Sequence, residues 1–454
     1  MITIKDEKFL VVGLGKSGVA CARFLKERGG IVTATDFKAM DALDDDVHML
    51  RELGIKVETG GHRTESFLDC GLIVISPGVP MSIQPIKEAR QRGAKVISEI
   101  ELAYNFIETP LIAITGTNGK TTTTTLIGEI FKRSHKDVFV GGNIGNPLIE
   151  YVRLGSEAEY VVAEISSFQL EAIRDFRPKV VILLNISPDH LDRYPSYRDY
   201  VQAKRRIFIN QREGDFAVLN ADDQLVSQVG DSLRDVRKVC FRKEEKVAGG
   251  IYLDGNSIVS EILEETHRYP TEFFKMKGGH NIDNIMASIA VTEICGCDPE
   301  DIEEAINGFK GLAHRMEFIR ESSGVSFYND SKATNTGAVE KCLESFDQPI
   351  ILIAGGRDKG TGYNGLKHLI RKKVKQLILI GEASELIDQK LGVLTKSIKA
   401  DTLQEAVELA WLNSSSGDIV LLSPACSSFD MFRDYKERGE AFKTIVKGLK
   451  SKTD

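Results

Sequence analysis

The chain has 454 residues, 42% of them apolar and 28% charged, with a formal net charge of −7. That is ordinary for a globular protein of about three domains, and it argues against a dedicated nucleic-acid binder, which carries a basic stripe. Seven scattered cysteines without a C-x-x-C pair, no basic-then-apolar leader and no apolar run of ~20 residues point to reduced thiols, a cytoplasmic location and no membrane insertion.

Short apolar runs, each followed by a turn and a helical segment, recur from the start. They cover residues 9–12, 31–34, 72–75, 96–97, 111–114, 161–163, 180–184, 217–219, 350–354, 376–380 and 419–422. Continuous apolar strands alternating with helices predict an α/β fold of mostly parallel sheets covered on both faces. Residues 251–259 look more irregular and suggest a small antiparallel patch. Breaks in the rhythm place domain boundaries near 98 and 311, giving units 1–98, 99–311 and 312–454.

The first strand runs into Gly13-Leu14-Gly15-Lys16-Ser17-Gly18, with a helix expected over 19–28 and Asp36 closing the next strand. This G-x-G-x-x-G layout lets backbone amides and a helix N-terminus approach a diphosphate. A nicotinamide enzyme, a nucleotide-sugar binder and a ligand-free tight turn all fit this loop. Further on, Thr115-Gly116-Thr117-Asn118-Gly119-Lys120-Thr121-Thr122 follows an apolar strand and opens a helix expected over 122–132. Its amides can cradle phosphates, with Lys120 on the β/γ-phosphates and the Thr121 hydroxyl on Mg²⁺. The loop is shorter than a strict G-x-x-x-x-G-K-[ST], since Ile114 stands where that pattern has glycine. Glu164 ends a later strand, and Asn185-Ile186-Ser187-Pro188-Asp189-His190-Leu191-Asp192 follows another. In an open α/β sheet such strand ends line one crevice. Glu164 is an apt oxygen ligand for Mg²⁺, whereas His190 on its own reads equally well as a buried structural histidine.

The T-G-T-N-G-K-T-T loop resembles that of the Mur ligases and folylpolyglutamate synthetases, and the E-x-S-S-F-Q-L and N-I-x-x-D-H-L-D segments resemble that family's metal-binding stretches in the same order. The resemblance runs from Gly13 to Arg438. It implies a Rossmann-like UDP-binding N-terminal domain, a central P-loop ATPase-like parallel sheet and a Rossmann-like α/β C-terminal domain. The implied activity is ATP-dependent amide formation through an acyl phosphate, by a monomer using one or two Mg²⁺ ions. Gly116, Thr117, Asn118, Gly119, Lys120, Thr121 and Thr122 would bind ATP, and Glu164 and His190 would join Thr121 on the metal.

Lys204, in Tyr200-Val201-Gln202-Ala203-Lys204-Arg205-Arg206, occupies the position of a carbamylated, metal-binding lysine; an ordinary helix lysine is the alternative. Asn284, in the Gly279-His280-Asn281-Ile282-Asp283-Asn284 segment that resembles the family's G-x-H-N-x-x-N ahead of a helix over 285–294, would contact the nucleotide, a helix cap being the other reading. Arg315 would contact phosphate and Asp330 the ribose. The N-D-S-K-A-T-N form of 329–335 is similar to that of the D-glutamate-adding branch of the family. There Lys332 and Thr334 would face the acyl group and the amino acid, Lys359 the D-glutamate carboxylate, and Ser428 the amino acid. Tyr435 stands where many relatives have phenylalanine. The UDP-N-acetylmuramoyl-L-alanine substrate would meet Gly15, Lys16, Ser17, Asp36, Phe37, Lys38, Gly78, Asn143, Ser166 and His190. A dehydrogenase explains the first loop alone, and an ATPase module would need no amino acid. A sister ligase differs only in the amino acid taken. Cys426 has no partner base and no role in this chemistry.

Overall fold

The computed structural model describes residues 2–43, 45–191, 193–276, 278–360 and 362–450. Three sheets follow one another along the chain. The first holds β1 (Lys8–Val12), β2 (Ile31–Thr35), β3 (Lys56–Glu58), β4 (Leu72–Ile75) and β5 (Lys95–Ser98), all parallel, in the order β3-β2-β1-β4-β5. The second holds β6 (Leu111–Thr115), β7 (Val138–Gly142), β8 (Tyr160–Glu164), β9 (Val180–Leu183), β10 (Phe216–Asn220), β11 (Arg237–Arg242), β12 (Ile251–Asp254), β13 (Ser257–Ser260) and β14 (His267–Pro270). Its order is β14-β13-β12-β11-β10-β9-β6-β8-β7. It is parallel through β12, and the last three strands are antiparallel, the small patch expected near 251–259.

The third sheet holds β15 (Glu317–Ser322), β16 (Val325–Asn329), β17 (Ile350–Gly355), β18 (Val374–Ile380), β19 (Lys396–Lys399) and β20 (Ile419–Ala425), in the order β15-β16-β20-β17-β18-β19. Only the β15–β16 pair is antiparallel. Its strands show why unbroken apolar runs mark buried parallel sheets. Ile350, Leu352, Leu377, Leu379 and Leu421 pack into one core layer. Their alternates Ile351, Ile353, Ile378, Ile380 and Leu422 pack into the layer on the opposite face.

Residues 1–186, 198–272 and 283–306 form one compact unit, and 187–197, 273–282 and 307–454 form another. Among the described residues no helix is long and apolar enough to cross a membrane.

Three helix starts differ from expectation. The helix Lys16–Glu27 begins three residues before 19, and Lys120–Arg133 two before 122, each directly after its loop glycine, Gly15 or Gly119. The glycine ends the loop, so Lys16, Ser17, Lys120, Thr121 and Thr122 all stand in a first helical turn, where four backbone N–H groups have no partner within the helix. The third helix, Gly279–Ile294, swallows the 279–284 segment that was expected to precede it. Asn284 therefore sits inside a helix and does not cap one.

Candidate active site

In the second sheet, β6 lies between β8 and β9, and the chain crosses from one side of β6 to the other after β8. Such a switch point opens a crevice at the carboxyl ends of the strands. The phosphate loop leaves β6 there, Glu164 ends β8, and Asn185 follows β9. Asn185 exchanges two hydrogen bonds with the loop: its Oδ1 accepts from the Asn118 amide at 2.8 Å, and its Nδ2 donates to the Asn118 carbonyl at 3.0 Å. The Lys120 ammonium donates to the carbonyls of Gly116 (2.9 Å) and Thr117 (2.8 Å), which holds it over the loop.

Gly119 has φ +85°, a backbone that side chains other than hydrogen rarely adopt, and a Cβ there would collide with Asn284 Oδ1. That same oxygen accepts from the Thr123 hydroxyl at 3.3 Å. Asn284 is thus placed against the phosphate loop by a helix formed much later in the chain.

Glu164 is buried, and each of its carboxylate oxygens has a donor. The Thr121 hydroxyl donates to one and the Asn143 amide to the other, both at 2.7 Å. Lys204 is buried as well; its Nζ donates to the Gly116 carbonyl at 2.7 Å and lies 4.8 Å from the centre of the Tyr200 ring. The Tyr200 hydroxyl is 3.0 Å from Thr117 Oγ1. A carboxylate, a hydroxyl and loop carbonyls are oxygen donors of the kind a hard cation selects. Ser166 caps the short helix Ser167–Leu170 with a reciprocal bond to Gln169.

In the first sheet, Asp36 organises the glycine loop. Its carboxylate accepts from the Leu14 amide (2.6 Å) and the Lys38 amide (2.8 Å). Gly13 and Gly18 approach closely enough that a Cβ on Gly18 would strike the Gly13 carbonyl, to which Ser76 donates at 2.7 Å. Lys16 Nζ donates to the Gly145 carbonyl at 2.6 Å, joining this loop to the one that carries Asn143. Gly15, Phe37, Lys38 and Gly78 are exposed around it, and Ser17 is partly so.

The second unit assembles a separate group. Asp189 accepts from the His190 amide (2.9 Å) and from Asn335 Nδ2 (3.1 Å), and its carboxylate lies 3.8 Å from Lys359 Nζ. Lys359 donates to Thr334 Oγ1 at 3.3 Å. His190 belongs to this unit, with φ +54°, and Asp192 lies outside the described residues. Asp330 is buried and accepts from the Ser423 hydroxyl (2.9 Å) and the Met316 amide (3.2 Å). Burial raises its carboxyl from 3.8 to about 6. Lys332 Nζ sits 3.8 Å from the centre of the Tyr435 ring, a cation–π contact. Arg315 lies between His314 (φ +63°) and Met316 (φ +45°). Non-glycine residues at positive φ cost about 1–3 kcal/mol each and collect where function holds them.

Arg438, fully buried, ties two of these loops together. It donates to the Ser331 hydroxyl and carbonyl (both 2.9 Å), the Cys426 carbonyl (3.2 Å) and the Ser427 carbonyl (3.4 Å). Ser428 is buried beside it. Burial pushes the Cys426 thiol up to about 11, so it is no nucleophile at neutral pH.

Residues 7–98 match the Mur ligase MurD-like N-terminal domain, 114–292 the Mur ligase middle domain and 314–426 the Mur ligase glutamate ligase domain. The UDP-N-acetylmuramoylalanine–D-glutamate ligase of Geotalea daltonii is 54% identical over 446 residues, 98% of each chain. The chain belongs to the Mur ligase family. The enzyme of the same name from Geotalea uraniireducens is 53% identical over 444 residues, again 98% of each chain. Among solved structures, the UDP-N-acetylmuramate–alanine ligase of Thermotoga maritima shares the fold at TM-score 0.60 and 21% identity, covering 98% of this chain and 100% of that one.

Within this Mur ligase the structure adds residues to which sequence reasoning gave no role. Asn185 and Asp189 lie inside the 185–192 motif and Asn335 ends the 329–335 motif, so their signal was present. Tyr200 begins the 200–206 segment that carries Lys204, and its hydroxyl gave no sign of a role. Thr123 and Arg438 carried no signal: each is a common residue on a helix.

Proposed function

We propose that this chain joins D-glutamate to UDP-N-acetylmuramoyl-L-alanine at the expense of ATP, an amide-forming step in peptidoglycan precursor synthesis. The observation that carries the reading is the convergence of the phosphate loop, Glu164 and Asn185 at one strand edge, together with relatives of that name at more than half identity. The substrate carboxylate takes the γ-phosphoryl group, and the amine of D-glutamate then displaces phosphate from the acyl phosphate.

Both partners in the first step are anions. Unit charges ~4 Å apart repel by about 4 kcal/mol at an effective dielectric of ~20, so cations must offset that repulsion. Lys120 and Arg315 are proposed for this, with Asn284 and Asp330 on the nucleotide. Thr121 and Glu164 would hold Mg²⁺, joined by His190 and by Lys204 as its carbamate; the ion would neutralise phosphate charge. Lys332 faces the acyl group, and Thr334, Lys359, Ser428 and Tyr435 receive D-glutamate. The UDP-linked substrate lies along Gly15, Lys16, Ser17, Asp36, Phe37, Lys38, Gly78, Asn143, Ser166 and His190. Domain divisions near 98 and 311 accompany this reading. The seven free thiols support a reducing, cytoplasmic setting.

The test is phosphate release from ATP with the UDP-linked substrate and, in turn, D-glutamate, L-glutamate, L-lysine and meso-diaminopimelate. Release that requires D-glutamate is expected. Release with another amino acid keeps the chemistry and removes the roles of Lys359 and Ser428; release independent of any acceptor removes the ligase reading. For the carbamate, Lys204→Ala is expected to regain activity with bicarbonate or short carboxylates, and no regain at all removes that modification.

A further inference from the structure

The amino-acid subsite proposed above rests on Lys359, yet Lys359 sits on a loop, and a loop lysine needs something to aim it. Its two chain neighbours supply the frame. The Asp358 carboxylate is held at both oxygens: one accepts from the Gly360 amide at 2.8 Å, the other from the Tyr363 hydroxyl at 2.7 Å. Lys359 lies between the two anchored residues. The ring of Tyr363 is buried in the same core layer as Leu352, Ala354 and Ala425, so its hydroxyl is a fixed point and not a mobile tip. That hydroxyl also lies 3.4 Å from Cys426 Sγ, on the loop that carries Ser428. A backbone pair between Arg357 and Ser427 (2.9 and 3.0 Å) joins the same two loops from the other side. Burial above all, then Cys426 and Asp358 beside it, hold the phenol far above its ordinary range, so it remains a donor at any working pH.

The geometry points to Tyr363 as a positioning residue for the amino-acid carboxylate: one buried hydroxyl fixes the loop of Lys359 and registers it against the loop of Ser428. Phenylalanine at this place would fill the same volume and leave Asp358 without its anchor in the core. The partners of the hydroxyl, Asp358 and Cys426, both lie on the amino-acid side, so its effect is expected to fall on one substrate. The inference depends on the reading of Lys359 as the carboxylate receiver.

The test is steady-state kinetics of the full chain, varying each substrate in turn. Tyr363→Phe is expected to raise the KM for D-glutamate roughly tenfold, the scale of one hydrogen bond to a charged group. The KM for ATP and for the UDP-linked substrate should stay within about twofold, and kcat should follow. Asp358→Asn keeps an acceptor for the phenol and should restore most of the affinity, whereas Asp358→Ala, which also strands the Gly360 amide, should cost at least as much as Tyr363→Phe. The double variant Tyr363→Phe with Asp358→Ala should be no worse than Asp358→Ala alone, because Asp358→Ala already removes the link that Tyr363→Phe cuts. Lys359→Ala separates the two ideas. If it raises the D-glutamate KM while Tyr363→Phe does not, the positioning role is wrong and the subsite stands. If Lys359→Ala has no effect, the subsite and the positioning role fall together. Equal changes in all three KM values, or a lowered folded fraction alone, would mark Tyr363 as a packing residue and overturn the inference.

Discussion

At the end of β6, one unbroken run from Thr115 to Thr122 carries the loop, the cation and the helix terminus proposed for phosphate, and Glu164 and Asn185 lock onto it from the two flanking strands. At the ends of β16, β17 and β20 no single run makes up the proposed amino-acid site. Lys332 and Thr334, Lys359, and Ser428 come from three loops, held in register by buried side chains, chiefly Arg438 and Tyr363. A phosphate is the same in every nucleotide, so its site can be one rigid cassette. An amino acid must be told from its relatives, and a site pooled from several loops can be tuned at each. The first arrangement concentrates function in a few residues, and the second spreads it into the core.

That contrast separates loss of chemistry from loss of structure. Lys120→Ala should lower kcat on the order of 10,000-fold, the scale of removing a cation that stabilises phosphoryl transfer, and should leave the melting temperature nearly unchanged. A large loss of stability in this variant would show that the phosphate loop is no self-contained cassette. Arg438→Met should do the reverse. It strands the carbonyls of Ser331, Cys426 and Ser427 in the interior, and denaturant unfolding should show a loss of about 3–5 kcal/mol with D-glutamate affinity falling alongside. Burial lowers this guanidinium only to about 10, so it is charged at neutral pH and lysine cannot reproduce its fork. Gly119→Ala should cost about 1–3 kcal/mol through its left-handed backbone and the collision with Asn284, and should raise the KM for ATP more than that for D-glutamate.

The smallest effect is a pH dependence. Asp330 has a folded value of about 6 against an ordinary 3.8, so the folded chain holds this proton more tightly than the unfolded one. Its contribution is most favourable at low pH and is lost as pH rises from about 4 through 6, at most about 3 kcal/mol. Asp330→Asn should therefore melt higher than the parent at pH 8 and level with it near pH 4, while losing activity. Equal shifts at both pH values would mean that the carboxyl is not titrating in the fold.

The loop 115–122 and Glu164 stood out in the sequence because each sits at the end of an unbroken apolar strand. The strands missed are mostly sheet margins: β3, β7, β15 and β19 are outermost or carry charge, and a strand with one neighbour has no need of apolar residues on every side. Arg438 escaped notice because a helix arginine gives no local sign that its core side is wet or dry. The start of the helix Gly279–Ile294 was misjudged because its first turn is glycine, histidine and asparagine, residues that ordinarily announce a loop.

The packing of Gly119 against Asn284 also bears on how such a sequence can vary. The two positions are far apart in the chain yet share one space, so neither can drift alone. A side chain at 119 needs the amide at 284 to shrink, and a shrunken 284 leaves the buried Thr123 hydroxyl without that acceptor. Three sites are therefore bound into one mutational unit, and paths through sequence space that pass it one substitution at a time must cross a less fit intermediate.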